Sequence, residues 1–140
     1  MTSTPVPAPS PEDVAAEQQV PNRIVAAWAD NDADAFADVF AVDGSLILPN
    51  DVYLKSREEV RLFMKQAFAG PYAGTRVYGQ PLAAKFLADG VALVITQGGV
   101  LQPGEEEVAP ERAIRASWLL VKQDEEWLLT AYQNTPVQAG

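Results

Sequence analysis

The chain has 140 residues, a formal net charge of −9 and a pI near 4.3, and it contains neither cysteine nor histidine. Disulfides, thiolate chemistry, Ser-His-Asp and Cys-His catalysis and His-ligated metals are therefore excluded, and so acidic a surface argues against nucleic-acid binding, which needs positive charge to release counterions. The length predicts one domain with a substantial core. No apolar run approaches a membrane span, and no acidic loop has EF-hand spacing.

Residues 1–10 are rich in proline and small residues and are expected to form a disordered tail, leaving a single domain over 11–140. "MTSTPVPAPSPED" lacks a positive start and an apolar core, so no secretory signal is expected and a cytoplasmic location fits. Ser10 is placed to cap a first helix that opens with Pro11, Glu12 and Asp13. Val14, Val20, Ile24 and Trp28 lie on one apolar face with Ala27 beside them, and Pro21 is expected to kink or split the helix. Asn31 or Asp32 caps a second helix carrying Ala33, Phe36, Ala37 and Phe40. Asp43-Gly44 reads as a turn and Ser45–Pro49 as a short strand. Ser56 and Glu59 form a capping box at the start of a third helix, which ends at Gly70-Pro71.

From Thr75 the apolar period falls to two. Thr75–Leu87, Val91–Leu101, Arg112–Gln123 and Trp127–Asn134 read as long strands joined by hairpins, the first through Asp89-Gly90. Pro81 suggests an edge strand or bulge, and Gly98-Gly99 a bend. Helices followed by an antiparallel meander predict an α+β fold, with a curved sheet packed on N-terminal helices.

"AWADNDADAFADVFAVDGSLILP", "SREEV" and "RASWLLVKQDEEWLLTAYQNTP" resemble the cone-shaped nuclear-transport-factor-2-like superfamily, which includes polyketide cyclases and ketosteroid isomerases. The "W…ND…F" opening and the closing "YQNTP" resemble its SgcJ/EcaC-type subfamily. The resemblance implies a pocket between helices and sheet, a homodimer through the sheet, and a place in polyketide, specifically enediyne antibiotic, biosynthesis. It implies no cofactor, and there is no G-x-G-x-x-G fingerprint after a strand.

Strict alternation puts Trp127, Leu129, Ala131 and Gln133 on one face of the last strand, and Leu128, Thr130, Tyr132 and Asn134 on the other. The first face is the more apolar, so Gln133 is the pocket candidate; otherwise it is a strand-end amide. Arg115 shares a face with Ser117 and suits an anionic ligand group, or else lies on the outer face, paired with Glu105–Glu107 or in a dimer interface. Arg112 falls on the opposite face, with Trp118 and Lys122. Asp51 and Tyr53, after the first strand, are the candidates for acid–base chemistry, with a turn role as the alternative for Asp51. Trp28, Phe36, Phe40, Phe63, Phe86 and Trp118 are candidates to line an aromatic cavity. A hydrophobic, polyene-like ligand follows, with a polyketide synthase as a partner. Three functions stand: a binding accessory protein, an acid–base cyclase or isomerase, and a non-catalytic dimerisation module.

Overall fold

The helices start where capping chemistry places them. In the computed structural model, which describes residues 10–49 and 51–137, α1 spans Pro11–Ala29, α2 Ala33–Asp38 and α3 Arg57–Phe68. Apart from Ser10, the expected tail over 1–10 lies outside the described residues. The Ser10 hydroxyl accepts from Asp13 N (3.1 Å), the Asp32 carboxylate from Ala35 N (3.0 Å) and the Ser56 hydroxyl from Glu59 N (3.2 Å). Each satisfies an N–H that the helix itself leaves free. Asp32, rather than Asn31, caps α2. Glu59 reaches back one residue further than a capping box requires, accepting from Lys55 N. Pro21 does not split α1, which is one continuous helix. Because Pro21 has no N–H, the Glu17 carbonyl one turn earlier loses its usual donor.

Six strands form one sheet: β1 (Phe40–Leu48), β2 (Val52–Leu54), β3 (Arg76–Ala88), β4 (Val91–Leu101), β5 (Ile114–Gln123) and β6 (Glu126–Pro136). Their order is β2-β1-β6-β5-β4-β3. β1 runs parallel to β6, and the other neighbours are antiparallel. The α+β expectation is met. Pro81 sits in an edge strand, β3, beside a register shift, where its missing N–H disturbs the ladder least.

Two local expectations change. Asp43-Gly44 is not a turn but part of β1, which already begins at Phe40. A Cβ on Gly44 would lie 2.8 Å from the Leu129 carbonyl oxygen and 3.1 Å from that of Ala41, so glycine is needed where β1 presses on β6. The second change lies in β6. Leu120 pairs with Leu129, but Leu119 pairs with Ala131, so Thr130 is an extra residue opposite no partner. This bulge flips the face on which every later residue points.

The core lies between the helices and the concave sheet face. Val20, Phe40, Val60, Met64, Leu120 and Leu129 are among its fully buried members, and removal of their apolar surface from water drives the packing. Arg61 ties α3 to α2 by holding Asp34 (2.9 Å) and Asp38 (3.1 Å), with Glu58 on its own helix (3.2 Å). Asp13 ties the start of α1 to the last hairpin, accepting from Lys122 Nζ (3.0 Å) and Trp127 Nε1 (3.3 Å).

Glu17 is buried on the inner side of α1, with no hydrogen-bonding partner among the described residues. Burial raises its carboxyl above the ordinary value of 4.5. The folded state therefore binds this proton more tightly than the unfolded chain does. Stability from this group is complete below pH 4.5 and is lost as pH rises through the raised folded value. Glu17→Gln is expected to melt a few degrees above the parent protein at pH 7, with the difference shrinking towards zero in acid. Equal melting profiles across this range by circular dichroism would contradict the assignment.

Candidate functional site

The inner sheet face and the helices do not fill the space between them. A cavity of about 490 Å³ remains, within the size range of small-molecule sites. Ile24, Trp28 and Phe36 from α1 and α2 and Met64 from α3 form one wall. Leu46, Val77, Val100, Trp118 and Leu129 are among the sheet residues that line the other. Trp28 stands edge-on to Phe36 (5.9 Å between ring centroids) and to Phe68 (5.5 Å), and packs on Tyr72 at 5.0 Å. Its indole N–H donates to the Thr75 hydroxyl (2.8 Å), so no polar group of this ring is left unpaired.

Gly98 and Gly99 shape the other end. A Cβ on Gly98 would lie 1.8 Å from the Tyr78 carbonyl oxygen, and one on Gly99 2.8 Å from that of Arg112. Two glycines thus allow β3 and the short 3-10 turn Pro110–Arg112 to close on β4. The turn replaces the first residues of the strand expected from Arg112. It brings Glu111 and Arg112 to the cavity. Arg112 Nη2 donates to Glu105 Oε1, which also accepts from Gln102 N (2.7 Å). The Arg112 bond, foremost, holds the Glu105 carboxyl below its ordinary range. Arg112 Nε is buried without a partner.

The bulge at Thr130 determines what β6 contributes. Beyond it, Tyr132 and Asn134 line the cavity, while Gln133 is exposed. Tyr132 stands opposite Trp118 in register, with the rings perpendicular at 4.9 Å. The Trp118 indole donates to the Thr96 hydroxyl (2.9 Å). Asn134 Nδ2 donates to the Tyr132 phenol oxygen (3.0 Å), and the other polar atom of this amide is buried without a partner. Desolvation raises the Tyr132 phenol above its ordinary value of 10.0; the Asn134 bond opposes this and nearby Tyr72 adds to it. Tyr132 is therefore a neutral hydroxyl at neutral pH.

Of the residues singled out from sequence, the structure brings Trp28, Phe36, Phe40 and Trp118 together around the cavity. Phe63 packs on the core without lining the cavity, and Phe86 stacks edge-on to Trp127 (5.8 Å) away from it. Gln133 lies on the outer face because the bulge breaks the alternation that placed it inside. Arg115 is also exposed and donates to Gln97 across β4 (2.8 Å), so it is the outer-face arginine and Arg112 the inner one. Asp51 sits at the β1–β2 turn with φ 64, and Tyr53 lies in β2 rather than in a loop. Both are exposed, and neither lines the cavity. Tyr132, Asn134 and Arg112 are the residues that sequence reasoning passed over, although Arg112 already shared the face of Trp118. Among the described residues, no helix is long and apolar enough to cross a membrane.

Comparison with known proteins places this geometry in a family. Residues 18–137 match the model of the SnoaL-like domain. A domain of unknown function with a cystatin-like fold from Nostoc punctiforme shares 26% identity over 94% of this chain and 81% of its own, at a TM-score of 0.85. An NTF2-like protein with a cystatin-like fold from Novosphingobium aromaticivorans is 14% identical, covering 92% and 84%, at 0.78. A ketosteroid isomerase-like protein from Erwinia carotovora is 16% identical, covering 93% and 100%, at 0.72. The last two show the fold alone. No curated protein matches the sequence significantly. A match over nearly the whole folded region, on a curved sheet that holds its helices around a cavity, makes this chain a member of the SnoaL-like domain family.

Proposed function

We propose that this chain is a small-molecule-binding accessory protein that holds a hydrophobic, polyene-like intermediate of polyketide biosynthesis in its cavity. The observation that carries the reading is a cavity of about 490 Å³ walled by apolar and aromatic side chains, in which, among the described residues, the only lining carboxylate is Glu111, itself exposed. Such a wall gains affinity from burial of apolar ligand surface. It offers shape and protection to a reactive chain more readily than proton transfer. The enediyne context and the SgcJ/EcaC-type assignment rest on the resemblance of the opening and closing segments. In this reading the protein works in the cytoplasm beside a synthase.

An acid–base cyclase or isomerase is the competing reading. It is favoured by the position of Glu111 at the cavity and by the likeness in fold to a ketosteroid isomerase-like protein. The two separate in a synthase assay with the purified chain. Under the binding reading, the chain changes the product profile, and Glu111→Gln, Asp51→Asn and Tyr53→Phe leave that change intact. Val100→Phe, which fills the cavity from β4, removes it while the fold persists. Loss of the change in a carboxylate variant would establish the enzyme instead, and an unchanged profile with the parent chain would remove the accessory role.

The chain also forms a homodimer through its sheet in this reading, supported by exposed Ile47, Tyr53, Leu82 and Leu87 on the strands. Sedimentation at twice the chain mass is expected, and a monomer at micromolar concentration would refute it.

A further inference from the structure

The polar groups of the cavity define the ligand more narrowly than its apolar walls do. Its charged lining residues are Glu111 and Arg112. The Arg112 charge is paired with Glu105, and its Nε, like the Asn134 oxygen, is buried without a partner. The Glu111 carboxylate is exposed and negative. The whole chain carries −9. An entering anion would thus find no free cation at the cavity, and would be repelled on approach. Desolvating it without a paired charge would be costly.

The interior polar groups are neutral. Tyr132 accepts from Asn134 Nδ2, and among the described residues its own O–H has no acceptor. With the amide in this orientation, Asn134 Oδ1 is buried without a partner. Hydroxyl and amide are bonded to each other, so the unused donor and the unpaired amide atom lie side by side on one strand. This pair is one partner short of satisfied. Buried polar groups are normally paired, so the missing partner is a sign of what the site is built to receive.

Building on the reading of the cavity as a ligand site, we infer that it selects an uncharged, largely apolar molecule that bears a hydroxyl at one end. The ligand oxygen accepts from the Tyr132 phenol. After a small turn of the Asn134 carboxamide, the ligand O–H donates to its oxygen. A carboxylate cannot make the second bond, because it has no proton to give, and a hydrocarbon can make neither.

Isothermal titration at pH 7 with naphthalene, 2-naphthol and 2-naphthoate tests this on the full chain. The three share one ring system and differ only in the polar end. Two neutral hydrogen bonds predict 2-naphthol binding about tenfold tighter than naphthalene, although it is the less hydrophobic of the two. 2-Naphthoate is expected to bind more weakly than either. Tyr132→Phe and Asn134→Leu, both close in shape to the originals, should each erase most of the advantage of 2-naphthol over naphthalene measured on the same variant. If 2-naphthoate matched or exceeded 2-naphthol, or if both variants kept the advantage, the hydroxyl inference would fail while the apolar cavity stood. If none of the three bound, the cavity reading and the inference would fall together.

Discussion

The extra residue in β6 is the constraint on which the site depends. A strand alternates its side chains strictly, so one inserted residue reverses everything downstream. Before Thr130, Trp127 and Leu129 point to the core. After it, Tyr132 and Asn134 take the inner face, and Gln133 turns out. Without the bulge the cavity would lose its neutral donor and acceptor and gain Ala131 and Gln133. The contact that accompanies it is equally specific. Gly44 of β1 presses against the Leu129 carbonyl, one residue before the bulge, at a spacing no larger side chain would permit.

The rest of the cavity is consistent with that arrangement. Indole N–H groups are satisfied internally, Trp28 by Thr75 and Trp118 by Thr96, so the large aromatic walls present carbon rather than unpaired polar atoms. Arg112, which lines the cavity, is paired with Glu105. What remains polar inside is uncharged, and burial keeps the Tyr132 phenol protonated. Such a chamber binds by excluding water and by matching a few hydrogen bonds, and its surroundings give no support to a buried ion.

Much of the fold was legible from local chemistry. Ser10, Asp32 and Ser56 are strong caps, and each begins a helix. β4 runs over Val91–Leu101, the span its alternation marks, because regular burial on one face leaves a regular pattern. The misses are places where tertiary contact outweighs local preference. Asp43-Gly44 has turn chemistry, but the glycine serves the close approach of two strands. β2 is three residues long and held by pairing with β1, so it leaves little pattern to read. The site was less legible for one physical reason. Thr130 carries neither the glycine nor the proline that usually flags a bulge, and nothing in "WLLTAYQ" distinguishes an unbroken strand from one with an inserted residue. An unbroken alternation puts Gln133 inside; the bulge puts it outside. The preference for Arg115 over Arg112 came from its mid-strand position, whereas the inner position belongs to the turn that precedes β5.

Because the natural chain has no cysteine, single thiols can report which way adjacent residues of β6 face. The most direct measurement is the rate of thiol labelling in Asn134→Cys and Gln133→Cys, with and without a saturating apolar ligand such as naphthalene. A bulge at Thr130 and a ligand-filled cavity predict that labelling of the Asn134→Cys protein slows several-fold when the ligand is added, while that of the Gln133→Cys protein does not respond. Protection of the Gln133→Cys thiol with an unresponsive Asn134→Cys thiol would contradict the account.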